Sequence, residues 1–337
     1  SVPYPPAQRR SYDNVLSSAA KSGFKLFHID GDDQGDPQPN VCGNCHRMPF
    51  WVSSNTPGTG MDAPTWRGAY DRWLILPQGR LNIIDFDFFK NVAERGAPER
   101  SIWQFSWAGR RRFDPVWDMV LESSTGFSGS FARQVTLSQE SLGEDLTTNL
   151  LDALEFSSRE GAVLLEGNGL LLQGRKATPL TLRFDGTPGE EAYLRTGGNH
   201  GSFTRAELVS LAAEGHFIGT FTGHIGTIVD MDHPQPALWT LGPIQSQRGR
   251  QKFPALSEQK TTMTMSGRHF GEEAHLFVNG RRVDGQIEID KEVVKIELAR
   301  IPPPGMHLLQ VQNPDGLFSN DFIFHVKPAE KTTASTP

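Results

Sequence analysis

Both cysteines of this 337-residue chain lie in one five-residue run, Cys42-Gly43-Asn44-Cys45-His46. Two thiols so close together cannot make a disulfide framework, so the chain must fold around hydrophobic cores or around a group these residues hold. A thioredoxin-type redox pair wants a βαβ context, and half of a zinc site wants two further ligands. Neither is supplied. No βαβ pattern surrounds the run, and no other cysteine exists to complete a thiolate-rich zinc site. The remaining chemistry is covalent haem attachment, in which two thiols add across the vinyl groups and the histidine that follows reaches the iron from the same helical turn. Cys42, Cys45 and His46 meet that requirement, so the sequence predicts one covalent haem c with His46 as an iron ligand.

A single hydrophobic core seldom serves more than about 250 to 300 residues, so the length suggests two or three domains. Six of the seven tryptophans precede residue 120. Helical signals dominate that part, over Tyr12 to Ser22, Ala63 to Leu74, Asp85 to Ala93 and Asp114 to Glu122, the last with Asp114 as cap and Pro115 at the first helical position. Residues 1–145 are therefore expected to form a small helical haem domain. From Gly161 short apolar runs punctuated by glycine read as strands: Ala162 to Leu165, Leu170 to Leu172, Leu180 to Phe184, Phe217 to Phe221 and Ile225 to Val229. One helix interrupts them, Arg205 to Glu214, opened by a Thr204/Glu207 capping box and stopped by Gly215. Residues 146–234 are expected to be a β-rich module.

Beyond the turn-rich Asp232 to Pro236, period-2 runs recur at Thr261 to Met265, His275 to Val278, Ile287 to Ile289, Val293 to Leu298, His307 to Gln312 and Phe322 to Val326. Asn279-Gly280 between two of them signals a type I′ hairpin. Short strands at this spacing predict an immunoglobulin-like β-sandwich over 235–327, with a flexible tail over 328–337. The fold class expected is thus multidomain α + β: helical c-type haem domain, β-rich middle module, C-terminal sandwich.

The stretch from Cys42 to Phe50, followed by Gly60-Met61-Asp62-Ala63-Pro64-Thr65-Trp66-Arg67-Gly68-Ala69, resembles haem domains related to class I cytochromes c and bacterial di-haem peroxidases. The resemblance covers residues 35 to 125 and implies a helical domain with an aromatic-bearing last helix, here around Trp117. A single haem motif departs from the di-haem pattern, because the second, electron-donating haem is missing. Met-Ser-Gly-Arg-His-Phe at 265–270, Val278-Asn279-Gly280 with its flanks, and Asn313-Pro314-Asp315-Gly316 resemble the IPT/TIG immunoglobulin-like family, whose members are spacers or contact proteins and polysaccharides.

The sixth iron ligand separates electron transfer from small-molecule chemistry, since a methionine or second histidine closes the coordination sphere. Met61, on the Gly-rich loop after His46, is the leading candidate, and Met119 is the reserve with core packing as its alternative. Trp66 and Arg67 suit hydrogen bonds to haem propionates, with a core Trp and a surface Arg as the alternative. The eight histidines from His200 onward form no ligand pair at strand or helix spacing, so His216, His224 and His233 are read as satisfied polar residues. The acidic loop Asp30 to Asp36 lacks the bidentate glutamate of an EF-hand and reads as a solvated turn.

No apolar run approaches the ~18 to 20 residues that cross a bilayer. The formal charge of −6, with one short basic cluster at Arg110 to Arg112, excludes a nucleic-acid footprint. Ser1 to Pro6 lack the basic and apolar regions of a signal peptide, so the chain is expected to be a mature form or a piece of a longer precursor. Haem attachment of this kind implies a periplasmic, cell-surface or extracellular protein. The function expected is a mono-haem electron relay serving a redox partner or neighbouring haem protein, with the β modules positioning it by self-assembly or surface polysaccharide contact. A haem peroxidase or sensor with an open distal site, and a haem-bearing structural filament, are the alternatives.

Overall fold

The computed structural model describes residues 16–30, 41–44, 46–49, 51, 115–116, 118–120, 122, 133–198, 200–228, 232–242 and 251–329. Helix α1 (Ser18–Lys25) begins where the Ser17 hydroxyl accepts from the Ala20 amide at 3.0 Å. Ser17 also donates from its amide and hydroxyl to Glu122, at 2.9 and 2.7 Å. Pro115, Val116, Asp118, Met119, Val120 and Glu122 are helical, and this second helix crosses α1 at Gly23, where a Cβ would collide with the Pro115 carbonyl. The expected helices at 63–74 and 85–93 lie outside the described residues.

A six-stranded antiparallel sheet follows. It is built from β1 (Gln134–Leu137), β2 (Val163–Gln173), β3 (Lys176–Asp185), β4 (Ala192–Arg195), β5 (Ser202–Phe203) and β6 (Phe217–Ile225), in the order β1-β6-β2-β3-β4-β5. Leu180, Leu182 and Phe184 alternate inward along β3, as period 2 demands. Helices α2 (Asp145–Arg159) and α3 (Arg205–Ala213) supply Leu146, Leu150, Leu151, Leu154, Leu208 and Ala212 to the same core. The Thr204/Glu207 capping box of α3 is present, and Gly215, at φ 72°, ends it. Runs read as separate strands are continuous here: 163–165 with 170–172 in β2, and 217–221 with 225 in β6.

Glu155 of α2 joins the layers of this unit. It accepts from the Tyr193 hydroxyl and, at 2.8 Å, from Arg205, which also pairs with Asp152. Burial raises the Glu155 carboxyl pKa, and the hydrogen bond from Tyr193 and the charge of Arg205 offset this only in part. A folded pKa above the unfolded one means that the folded state holds more protons in the window between them. Stability is therefore expected to rise as pH falls from neutral towards the ordinary value of 4.5, and urea melts of Glu155→Gln should show a shallower slope over that window.

The C-terminal unit has two sheets around a common core. The strands are β7 (Ala237–Trp239), β8 (Ala255–Leu256), β9 (Thr262–Arg268), β10 (His275–Val278), β11 (Arg281–Val283), β12 (Gly285–Asp290), β13 (Val293–Leu298), β14 (Gly305–Gln312) and β15 (Phe322–Val326). The five-stranded sheet runs β11-β10-β14-β15-β8 and the four-stranded sheet β12-β13-β9-β7. Asn279 and Gly280, at φ 52° and 83°, form the tight link from β10 to β11, with Val278 opposite Arg281.

α2 lies between the two units and is buried on both sides. Its Asn149 accepts from the Arg282 amide at 2.9 Å, and Gln312 of β14 donates to Ala153 O and Ser157 Oγ at 3.0 and 2.9 Å. Ser157 in turn donates to Gly316 O at 2.7 Å, while Ala153, Phe277 and Phe318 make a small apolar cluster. Gly316 is left-handed at φ 80°, and a Cβ there would lie 2.7 Å from Ser157 Cα. Gly316→Val is expected to cost about 2–4 kcal/mol in denaturant melts, from backbone strain together with overpacking against a helix that cannot move aside.

The small helical domain expected over 1–145 is corrected. The described residues of that stretch do not enclose a core of their own: Phe24, Phe27, Met48, Trp51 and Met119 join the cluster that contains Trp239, Met263, Ile296 and Phe324 of the sandwich. β1, also from that stretch, is an edge strand of the six-stranded sheet. Among the described residues the architecture is β-rich, with three sheets and few helices. No helix among the described residues is long and apolar enough to cross a membrane.

Candidate functional site

α1 runs on into a turn of π-helix, Leu26–Asp30, and the chain returns through a 3₁₀ turn at Cys42–Asn44. The Asn44 amide donates to Val41 O at 3.0 Å and the His46 amide to Cys42 O at 2.9 Å. The second bond closes one helical turn and places Cys42 and His46 on one side of it. Arg47 braces the same turn by donating from Nε to Asn44 O at 3.0 Å.

His46 Nδ1 is 3.1 Å from Trp51 O. A carbonyl only accepts, so the imidazole proton sits on Nδ1 and the lone pair of the neutral ring is on Nε2. Trp51 presents that carbonyl from the left-handed region, at φ 52°. A bulky residue held there costs of order 1–3 kcal/mol, a strain typical of functional sites.

Beside this turn sits His28, fully buried, with neither ring nitrogen hydrogen-bonded. Its neighbours are aromatic: ring centroids of Phe24, Phe27, Trp51 and Phe253 lie 6.0, 4.8, 6.4 and 5.9 Å away. Burial, and then the charge of His46, pull its pKa down to about 3, so it is neutral at physiological pH. Gly43 makes the approach feasible, because a Cβ there would come within 2.6 Å of His28 Nδ1 and 3.1 Å of Phe27 O. Gln251 donates to Gly43 O, and Phe253 packs on Phe322 at 5.9 Å, so the turn is fastened to the sandwich.

Of the residues singled out from sequence, Cys42 and His46 are brought together, while Cys45, Met61, Trp66 and Arg67 lie outside the described residues. Met119 is fully buried in the shared core. His216 and His224 stand beside Glu214 and Glu166, at 3.2 and 3.6 Å. Asp30 pairs with Lys25 at 3.1 Å, and the rest of its acidic loop is outside the described residues. Among the described residues no three histidine, cysteine or acidic side chains gather into a metal-binding group. His28 was not among the residues the sequence marked. It follows Phe24-Lys25-Leu26-Phe27 with no motif to flag it, and only its burial without a partner reveals it.

No family model matches the chain, and no curated protein sequence does. A solved structure, the gamma-CGTase from an alkalophilic Bacillus clarkii, is similar over 63% of this chain and 28% of its own, at 12% identity and a TM-score of 0.21. The chain thus spans under a third of that protein's length. The resemblance to class I cytochrome and di-haem peroxidase domains is corrected by the β-rich fold and the missing family match, and the IPT/TIG assignment likewise lacks one. What stays of the latter is a two-sheet β-sandwich. The physical reason is that a short attachment motif fixes one turn of backbone and leaves the fold around it open.

Proposed function

We propose that this chain relays single electrons outside the cytoplasm through one haem c, which Cys42 and Cys45 would hold covalently and His46 would hold through its imidazole. The observation that supports it best is the Cys42–His46 turn with His46 Nδ1 held by Trp51 O, because that bond fixes the tautomer and makes Nε2 the more basic donor. Fit rests on the turn itself, whose bond from the His46 amide to Cys42 O puts the histidine one helical turn after the first cysteine. Gly43 offers no further room, because the position of its missing Cβ lies 2.6 Å from the His28 ring that packs there.

When bound, such a group supplies a one-electron iron couple. The chain's own residues do the rest. Phe24, Phe27 and Trp51 exclude water, and Gln251 and Phe253 fix the turn to the sandwich, which holds it at a set orientation to a redox partner protein or a neighbouring copy. Attachment of this type is made outside the cytoplasm, which is why we assign the chain to the periplasm, cell surface or exterior.

Potentiometric titration of the full chain, expressed with haem-attachment machinery, tests the relay. A single reversible n = 1 wave with rapid exchange to small redox mediators is expected. Rapid peroxide turnover by the ferric protein would replace the relay with an enzyme.

A further inference from the structure

We propose that the C-terminal sandwich binds a small carboxylate with an apolar body, held at its charged end by Arg281 and Arg300. The site is apart from the attachment turn and does not depend on the haem reading.

The β10–β11 hairpin belongs to the five-stranded sheet, and the chain after β13 leaves the four-stranded one. Residues of both line a cavity of about 580 Å³. Small-molecule pockets run from about 300 to 1,000 Å³, so the size suits a ligand of that kind. The walls are fixed by the fold. Ala299 donates from its amide to Asp284 O at 3.0 Å, which ties the chain after β13 to the link between β11 and β12. His307 of β14 makes the second tie. Its Nε2 lies 2.7 Å from Pro303 O, which only accepts, so the ring proton is on Nε2 and Nδ1 accepts from the Asn279 side chain at 2.9 Å. Asn279 Oδ1 accepts in turn from the Leu308 amide at 3.1 Å.

These bonds decide what the cavity can recognise. Both ring nitrogens of His307 are committed, and the Asn279 side chain bonds through both its oxygen and its nitrogen. The charged groups left on the lining are Arg281, Arg282, Arg300 and one carboxylate, Asp284. Among the described residues none of the three arginines is in an ion pair. Arg282 already donates to His275 Nδ1 at 3.1 Å, which leaves Arg281 and Arg300 as the uncommitted forks. A guanidinium is always charged and meets a carboxylate through two parallel hydrogen bonds. Two such groups, carried by different sheets in a chain of net charge −6, complement an anion.

The remaining lining sets the rest of the ligand. Val278, Val283, Ile301 and Pro302 offer only contacts to carbon. Among the described residues no phenylalanine, tyrosine or tryptophan lines the cavity, so a sugar ring or a base finds no platform to stack on. Asp284 repels a second negative charge, which disfavours a polyanion. One carboxylate on an apolar body satisfies all three conditions.

Calorimetric titration of the full chain with phenylacetate tests the site. Binding in the millimolar range or tighter is expected, weakening as salt is added, with no binding of the neutral phenylacetamide. Arg281→Gln combined with Arg300→Gln should weaken phenylacetate about tenfold or more, because charge-assisted hydrogen bonds are lost. Both side chains are exposed, so far-ultraviolet dichroism should stay unchanged. Arg300→Lys keeps the charge without the fork and should recover part of that loss. Ile301→Trp fills the apolar part, leaves every charge in place and should abolish binding. No detectable phenylacetate binding, equal binding of phenylacetamide, inorganic sulfate bound as tightly as phenylacetate, or full affinity in the double arginine variant would each overturn the proposal. Full affinity in Ile301→Trp would overturn it as well, by putting the anion on exposed arginines outside the cavity.

Discussion

The double variant Cys42→Ser, Cys45→Ser is expected to lose all covalent haem while keeping its β-sheets. Neither thioether can form, and His46 alone holds a prosthetic group only by one exchangeable bond. The sheets should survive, because the six-stranded unit is closed by Leu146, Leu150, Phe217 and Phe221, none of which touches the attachment turn. The first segment should loosen, since Cys42 packs against the shared core. Visible absorbance reads the first effect, and tryptophan emission, with Trp51 at the turn, reads the second. Cys45→Ser alone should keep one thioether and part of the colour. A colourless double variant with native emission would show that the haem contributes nothing to the fold.

Trp239→Ala should be the most destabilising single substitution in the C-terminal unit. Trp239 is 1% exposed, its Nε1 donates to Gly242 O at 2.8 Å, and it pairs with Ser266 across β7 and β9. Removing an indole from a packed core typically costs about 3–5 kcal/mol, as lost transfer energy and residual cavity combined. The core around it is shared with Phe24, Phe27 and Trp51, so the damage should reach the attachment turn. Guanidinium melts followed at the haem band and by far-ultraviolet dichroism should therefore shift together. A shift at only one probe would mean that the turn and the sandwich are separate units.

β10, β13 and β15 occupy the stretches read as strands. β13 shows the alternation, since every second residue from Val294 to Leu298 is buried and the others are exposed, whereas β10 and β15 are buried nearly throughout and were legible as short apolar runs. α2 was not legible. Leu146, Leu150 and Leu154 face one unit and Ala153 and Ser157 the other, so the exposed polar stripe is narrowed to Asp145, Thr148, Asp152 and Arg159. β1 was hidden for a different reason, because its partner Thr222 is 88 residues from Gln134 and pairing so distant leaves no local pattern. α1 starts at Ser18, inside the stretch read as Tyr12 to Ser22, because Ser17 provides its cap.

At the site, the motif identified Cys42 and His46 as parts of one turn. The carbonyl of Trp51 and the ring of His28 could not be read from it, since each matters through a contact made only after folding. The helical domain that the motif suggested by resemblance did not follow, because the apolar residues around it are spent on a core held in common with the sandwich.

The central claim is that Cys42, Cys45 and His46 hold a haem by covalent bonds. A pyridine haemochrome assay on the purified full chain, paired with the intact mass after extraction with acidified organic solvent, tests it most directly. The account predicts one haem per chain that resists extraction, with the shifted haemochrome band of a haem whose vinyl groups are saturated. Protein that carries no haem after export through competent attachment machinery, or haem that extraction removes completely, would contradict it.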